Sequence, residues 1–505
     1  MARVAENMAE SGDWRIHGSG LILYNSKMPA VPAIVAMVSL VFGISVIDTI
    51  RFLLPLIGAT TVPTGGLLAY KITKSKPGAL GAGIFFAFSG PFVYLTSAAM
   101  KQVVGMALMV PAFLFFLTRE KLTSSACLFL IMMSLVLVHH LTFLLLTSIL
   151  GMALFYAVLI RYFESGRMEL KKEIPAAAVL SLSATFAWWY YVHTSLEHMG
   201  YVSSSERILL FMVFFLWMIL GSLVLFSKDV TKRSNLSGAT TAFAGMIFIV
   251  ALVLNHRTPI FGTLTTSTSL LILFVPYILF IMFCVIVGFE ILRSTKNHAK
   301  PLLFGGIFGP VSLMSFAVVS GLDAISFGLF IRSYNYIDIS IGICAGISLA
   351  YVLQKTDKKK ISKAVPALFL CAALMTLPLA YNQQDFSGIR DVTLDYEMDA
   401  MSIAAEIALE RNLTIYTDQR YADILSPYYE VRADRSLPIT IRNGYELPPG
   451  LILVSYTWTE VGAQNYPFRN IHISQDLLDN IIDSSDIVFS LGPAGGEIYL
   501  LYVPA

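Results

Sequence analysis

Long runs of apolar residues, separated by short polar segments, make up most of the chain before Tyr381. A helix of roughly 20 residues crosses the hydrocarbon core of a bilayer, so a run near this length predicts a membrane-spanning helix. About twelve runs reach or approach this length: 50–72, 79–97, 103–117, 124–138, 141–162, 174–192, 208–226, 239–254, 269–292, 302–320, 337–353 and 364–381. The pattern therefore predicts an α-helical, polytopic membrane bundle.

Two segments need separate treatment. Residues 29–46 are apolar but flanked by proline and only marginally long, so this segment either crosses, re-enters or lies in the interface. Residues 322–336 form a polar rim that leads into the apolar run 337–353, and a lysine-rich stretch follows at 355–363. We expect a charged loop at one end of this span and a basic anchor at the other.

The chain becomes polar and charged after Tyr381, which predicts three regions: a polar N-terminal segment (1–30), a transmembrane domain (31–381) and a small C-terminal domain (382–505). Residues 396–411 place apolar side chains at helical spacing and predict an amphipathic helix. Predicted strands are 413–417, 451–456, 487–491 and 497–503, the last two joined by a glycine-rich turn. The C-terminal domain is therefore expected to be α/β.

Lysine and arginine are concentrated in every second loop. Positively charged loops resist translocation and stay cytoplasmic. The basic loops are 71–76, 119–121, 161–172, 228–233, 293–300 and 355–363, whereas 96–101, 139–140, 193–207, 255–268 and 321–336 are poor in lysine. The first set is predicted to be cytoplasmic. The second set and the C-terminal domain are predicted to lie outside a cell membrane.

Composition excludes several classes of function. Hydrophobic residues make up 56% of the chain and charged residues 13%, whereas soluble domains carry about 25% charged residues. The net charge of +2 is spread through short loops, so the chain has no basic patch for nucleic acid. The four cysteines lie in apolar runs, without the spacing of a disulfide framework or a zinc site. No phosphate-binding loop is present, which disfavours a built-in nucleotidase.

Ionisable and aromatic side chains are gathered at the predicted outer ends of the helices. Such groups near a membrane are costly and usually line a polar cavity. We expect an outward cavity that binds an anionic lipid head group, with Arg332 offering a bidentate fork to phosphate oxygens. The candidate binding residues are Arg332, His139, His140, Lys101, His256, Arg257 and Tyr334. The alternative is that each of them only anchors a helix at the interface, as Tyr336 would.

Metal binding is weakly indicated. His139 and His140 are adjacent in sequence, so they cannot face the same way on a helix. One of them could bind a ligand while the other caps or packs. Asp391, Asp395, Glu397 and Asp399 would tolerate a divalent cation, but acids are also favoured in the first turn of a helix. We expect these acids to cap the helix over 396–411.

Several loose motifs resemble the integral membrane glycosyltransferases with a GT-C-type fold. Residues 5–14 (AENMAESGDW), with Tyr24, Pro29, 41–43 (VFG) and Arg51, resemble the first exterior loop and following helix of this superfamily. Residues 85–91 (FFAFSGP) and the position of Arg332 before a late span resemble it further on. The superfamily includes protein mannosyltransferases, aminoarabinose transferases and the catalytic subunit of oligosaccharyltransferase.

This resemblance implies an activity. Such enzymes transfer a sugar from a polyprenyl-phosphate carrier at the outer face of the membrane to a glycan or protein acceptor. A carboxylate in the first exterior loop acts as base or as ligand of a divalent metal. In the family pattern this acid and a first transmembrane helix precede the position of Ala5, so either the reading frame begins upstream of Met1 and contains them, or the protein has lost its base. Residues 1–30 would then be the remainder of the first exterior loop.

The other acidic residues of the superfamily pattern have no counterpart in this sequence. Lys101 and Gln102 stand where the second acid is expected, and Trp188-Trp189 is followed by tyrosine and not by aspartate. No catalytic residue is therefore assigned, although a glycosyltransferase remains the preferred hypothesis. A flippase or carrier for lipid-linked glycans fits the same pattern of spans, and a non-catalytic scaffold is the third hypothesis.

Overall fold

The computed structural model describes residues 1–12, 25–98, 100–166, 171, 173–194, 204–226, 250, 253–254, 268–294, 299–320, 324–356, 359–380, 393–465, 469–494 and 496–504. The chain has two compact units, which are essentially Tyr24–Tyr381 and Asn382–Ala505. The first unit also takes in most of the N-terminal residues.

The first unit is helical throughout its described residues. Its helices are α1 (Ala2–Ser11), α2 (Ala30–Phe42), α3 (Val46–Ala59), α4 (Thr61–Thr73), α5 (Lys76–Phe88), α6 (Gly90–Ser97), α7 (Lys101–Leu117), α8 (Leu122–Val138), α9 (His140–Ser165), α10 (Ile174–His193), α11 (Ser204–Phe226), α12 (Thr268–Ser294), α13 (Lys300–Val319), α14 (Ala324–Lys355) and α15 (Lys359–Leu374), followed by a 3-10 turn at Leu377–Ala380.

The described helices form a multi-pass membrane unit, but the predicted count of twelve spans is not reached. Five helical segments in the described part of the chain are long and apolar enough to cross a membrane, one of them formed by α3 and α4 together, or six when the bent pair α5–α6 counts as one span. Further apolar helices are shorter than a full span, and α2 is one of them. With 13 residues it rises only about 20 Å, so the segment that the sequence left undecided is shorter than a bilayer core is thick.

Helix α14 corrects one prediction. The polar rim expected as a loop over 322–336 is helical from Ala324 onward, and α14 runs for 32 residues without a break. No proline interrupts the segment, and a helix satisfies every backbone hydrogen bond within itself, which a membrane interior demands. Arg332 and Tyr334 are therefore on a helix surface, and Asp338 lies well inside the helix.

The predicted run 79–97 is not one straight helix either. Helices α5 and α6 meet at Ser89 with a bend of 66°. The Gly90 amide donates to the Thr376 hydroxyl across 3.1 Å, and a Cβ on Gly90 would lie 2.0 Å from the Thr376 carbonyl oxygen. A distant residue thus supplies the hydrogen-bond partner that the break in the helix requires.

The second unit contains a small mixed sheet. Its helices are α16 (Asp395–Arg411), α17 (Gln419–Tyr428), α18 (Leu437–Arg442), α19 (Thr457–Glu460) and α20 (Gln475–Asp483). Its strands are β1 (Ile415–Tyr416), β2 (Ala433–Asp434), β3 (Gly450–Ser455), β4 (Ala463–Asn465), β5 (Arg469–Ile471), β6 (Asp486–Leu491) and β7 (Ile498–Val503). The main sheet has the order β2-β1-β3-β7-β6, and β4 pairs with β5 alone.

Strand β3 lies at the centre of this sheet. It runs parallel to β1 and antiparallel to β7, and all six of its residues are buried. Leu451 and Leu453 pack with α16 on one face, whereas Ile452 and Val454 pack with Trp458 on the other. The predicted hairpin is present as β6–β7.

Candidate functional site

Four of the predicted binding residues come together at one end of the helical bundle. The ring of His139 lies within the range of electrostatic repulsion from His140, Arg332 and Lys101. The two histidine rings lie 5.6 Å apart, centroid to centroid. Lys101 begins α7, His139 joins α8 to α9, and Arg332 lies on α14. We call these four residues the polar end cluster.

Lys101 is a buried member of the cluster. Its ammonium donates to the backbone carbonyls of Asn25 and Met28, each at 3.1 Å. These bonds satisfy carbonyls of the turn that precedes α2, and a buried ammonium requires such acceptors. The role of Lys101 in these contacts is to hold that turn against the start of α7.

His139 is also buried, and it caps a helix. Its Nδ1 accepts from the Thr142 backbone amide at 3.3 Å and lies 2.8 Å from the Thr142 hydroxyl. That hydroxyl in turn contacts the hydroxyl of Tyr336 on α14. Of the two alternatives for the histidine pair, His139 takes the capping position, and His140 is partly exposed.

Arg332 differs from the other basic members of the cluster because its side chain is exposed. Within the described part of the chain, no carboxylate and no hydrogen-bond acceptor pairs with its guanidinium. A guanidinium has five N–H donors in a rigid fork that matches two phosphate oxygens. The geometry therefore leaves Arg332 able to bind an anion from outside the protein.

A second group of polar side chains is formed by α14 and α12. The Tyr334 hydroxyl donates to that of Tyr277 at 3.2 Å, and Tyr277 donates to Asp338 Oδ1 at 3.4 Å. Asp338 is completely buried, and its Oδ2 has no partner among the described residues. A helix that began at residue 337, after the polar rim, would have put Asp338 in its first turn, whereas α14 begins at Ala324. Tyr277 was missed because it lies inside an apolar run.

The remaining predicted positions divide into two groups. His256, Arg257 and Asp391 lie outside the described residues. Asp395 and Glu397 are in the first turn of α16, as predicted. Glu397 also forms a buried ion pair with Arg420 at 2.7 Å, and no local sequence pattern indicates this pairing. Its second oxygen accepts from the Leu394 amide at 2.7 Å.

The described residues do not fit a divalent metal. No group of three or more His, Cys, Asp or Glu side chains in that part of the chain converges on one point. Both oxygens of Glu397 are already used by protein donors. The divalent cation that the resemblance implies therefore has no ligand set among the residues that the structure describes.

No protein-family model and no curated protein matches this chain. The chain is similar to two crystal structures of ArnT from Cupriavidus metallidurans. For the structure bound to undecaprenyl phosphate, the identity is 11% and the TM-score 0.39; for the apo structure they are 12% and 0.41. Each comparison covers 99% of this chain and 92% of the other.

At this identity and these TM-scores, the likeness concerns the fold alone and carries no argument about substrate, activity or functional residues.

Proposed function

We propose that the membrane unit is a glycosyltransferase-like protein that binds a polyprenyl-phosphate-linked sugar at the outer face of the membrane. The observation that carries this proposal is the exposed guanidinium of Arg332, which has no carboxylate partner among the described residues. It belongs to the polar end cluster, and the phosphate of a lipid is an anion that a guanidinium can bind through two oxygens.

Each member of the cluster has a distinct role in this proposal. Arg332 would hold the phosphate oxygens and stabilise the charge that grows on the leaving phosphate during transfer. His140, which is partly exposed, would add a second contact. Lys101 and His139 would fix the surrounding helices. The acceptor, a glycan or a protein, would be selected by the C-terminal unit on the same side of the membrane.

Helix contacts support the sidedness on which this proposal depends. Lys101, His139 and Arg332 come from three segments predicted to be outside, and they meet at one end of the bundle. Arg119 and Arg161 come from two loops predicted to be cytoplasmic, and both contact Glu173. The three segments predicted to be outside therefore lie together, and so do the two basic loops. This is expected if successive loops alternate between the two sides of the membrane.

Binding of a polyprenyl phosphate to the full chain in lipid nanodiscs tests the proposal. Arg332→Ala should weaken binding roughly tenfold to a hundredfold, the range for losing a hydrogen bond to a charged group. Arg332→Lys should retain part of the affinity because it keeps the charge but not the fork. Lys355→Ala, at the other end of the same helix, is the matched control. Equal affinity in Arg332→Ala and the parent would refute the site.

Asp338 favours a second candidate function, a carrier or flippase for lipid-linked glycans. An ionisable side chain inside a transmembrane helix is rare and often lies on a transport path. In this case Asp338→Asn should slow the movement of a fluorescent lipid-linked glycan across proteoliposomes while leaving polyprenyl-phosphate binding intact. The exposed Asp48 provides the control Asp48→Asn. A transferase without transport would show no such movement in the parent protein.

A further inference from the structure

Two tripeptides of the chain have the sequence of an N-glycosylation acceptor, which is asparagine, any residue except proline, and then serine or threonine. They are residues 235–237 (NLS) and 412–414 (NLT). Asn235 follows the basic loop 228–233, which is predicted to be cytoplasmic, and lies outside the described residues. Asn412 belongs to the C-terminal unit, which is predicted to lie outside the membrane. Only the second tripeptide is therefore on the side where glycans are attached.

Asn412 lies at the turn between α16 and β1. Its backbone is left-handed, with φ of 51° and ψ of 45°, and its amide donates to the Ala408 and Leu409 carbonyls. The residue after a helix that takes this conformation is usually glycine and sometimes asparagine. The turn thus accounts for a glycine or an asparagine at this position, but it requires nothing of the asparagine side chain.

The side chain of Asn412 is free to be modified. It is exposed, and it makes no hydrogen bond to the described residues. Residues 409–411, the end of α16, are exposed as well, so the surface around it has room for a bulky, hydrated glycan. Asn470 shows the contrast: its Nδ2 donates to the Val461 carbonyl at 2.8 Å, and its Oδ1 is buried. An amide held in that way has no room for a sugar on its nitrogen.

Thr414 supplies the hydroxyl of the acceptor tripeptide. This hydroxyl makes no hydrogen bond within the described part of the chain. The Thr414 carbonyl accepts from the Leu451 amide at 3.3 Å, and the next residue, Ile415, pairs with β2 and β3. Both partner strands are later in the chain than residues 412–414. The tripeptide therefore emerges during synthesis before the strands that fix it, as an extended segment that a transferase can bind.

We propose that Asn412 is a site of N-linked glycosylation, and that its substrate is a glycan linked through phosphate to a polyprenol. In the transfer, Nδ2 of Asn412 forms a bond to C1 of the first sugar. The bond between that carbon and the phosphate oxygen breaks, the phosphate leaves with the electron pair, and the amide gives up one proton. The proposal requires residues 382–505 to lie outside, but it is independent of whether the membrane unit transfers a sugar.

Mass spectrometry of the full chain, purified from the membranes of the cells that make it, tests this site. Trypsin cleaves after Arg411 and after Arg420, so residues 412–420 (NLTIYTDQR) form one peptide with a single asparagine. This peptide should carry the mass of a glycan in most copies of the protein. Enzymatic release of the glycan should leave aspartate at position 412. The tryptic peptide that contains Asn235 should be unmodified.

Variants separate the chemistry of the tripeptide from its structural role. Asn412→Gly retains the left-handed turn and should lose the glycan completely. Thr414→Val keeps a β-branched side chain before the strand but removes the hydroxyl, and it should lose the glycan as well. Thr414→Ser should retain it. Asn235→Gln is the matched control and should be glycosylated as the parent is.

After enzymatic removal of the glycan, the parent and all four variants should unfold at similar temperatures, so that loss of the glycan is not a consequence of misfolding. An unmodified 412–420 peptide in the parent would overturn the proposal. A glycan that persists in Asn412→Gly or in Thr414→Val would overturn it too. A glycan on the peptide that contains Asn235 would contradict the predicted sidedness, and the proposal would fall with it.

Discussion

At the residue scale, Glu397 marks the boundary of what the sequence can predict. Its position in the first turn of a helix follows from local sequence, because acids favour that turn. Its pairing with Arg420 and Tyr421 does not follow from local sequence. Arg420 and Tyr421 follow 23 and 24 residues later, and no periodicity relates them to α16. The same holds for Tyr277 and Asp338, which lie 61 residues apart.

Replacing Glu397 should destabilise the C-terminal unit. Glu397→Gln removes the carboxylate that is paired with the buried Arg420, and breaking a buried ion pair typically costs about 3–5 kcal/mol in the free energy of unfolding. Chemical denaturation of the full chain measures this cost. Glu406→Gln, at an exposed position on the same helix, should change it by less than about 0.5 kcal/mol. Similar losses in both variants would show that the ion pair contributes little.

Asp418 should make stability depend on pH. Burial raises the pKa of its carboxyl in the folded state, although Arg420 and two backbone amides oppose this. A group with a raised pKa stabilises the fold below its unfolded pKa, about 3.9 for aspartate. It loses that contribution as pH rises through the folded pKa. The free energy of unfolding should therefore fall as pH rises across this window.

Urea denaturation at a series of pH values checks this expectation. In Asp418→Asn the fall should be smaller, even though the variant also loses one hydrogen-bond acceptor and is less stable overall. Asp476→Asn removes an exposed carboxyl from α20 and should keep the slope of the parent. If the free energy of unfolding of Asp418→Asn falls with pH as steeply as that of the parent, other groups cause the pH dependence.

At the scale of elements, the sequence predicts helices where basic loops bound an apolar run. The starts of α10 at Ile174 and of α13 at Lys300 lie within two residues or so of the predicted starts. Two failures have physical causes. The start of α14 was misjudged because polar residues on a helix surface resemble a loop. The bend after α5 depends on Thr376, which lies 286 residues from Gly90.

The bend gives a prediction with an internal control. Gly90→Ala should destabilise the bundle by about 1–3 kcal/mol, the usual cost of overpacking, because the new methyl group meets the Thr376 backbone. Gly83→Ala, on α5 itself, places its Cβ in open space and should be neutral or slightly stabilising. Thermal unfolding in detergent distinguishes the two. A stable Gly90→Ala protein would mean that the bend can relax.

At the scale of the whole molecule, the distribution of charge predicts sidedness, and contacts within the bundle agree with it. Arg119 donates two hydrogen bonds, of 2.6 and 2.8 Å, to the Glu173 carboxylate. Arg161 forms an ion pair with the same carboxylate at 3.0 Å. Both arginines come from predicted cytoplasmic loops. The side on which residues 382–505 lie is a prediction from the loops alone.

Labelling from outside intact cells tests that prediction. In a background without the native cysteines, Glu446→Cys should react with a membrane-impermeant maleimide, because residue 446 is exposed in the C-terminal unit. Glu120→Cys, at the end of the bundle that carries Glu173, should react only after the cells are opened. The reverse pattern would place the polar end cluster in the cytoplasm and remove the proposed lipid site.

The contact between Thr142 and Tyr336 has a consequence for biogenesis. These hydroxyls are separated by 194 residues, so the hairpin of α8 and α9 enters the bilayer long before α14 is synthesised. Until then the Thr142 hydroxyl lacks the tyrosine that it meets in the finished protein. Its partner in the meantime is the neighbouring His139 ring, so ribosome-stalled chains that end before α14 should hold this hairpin less rigidly than chains in which Tyr336 has emerged.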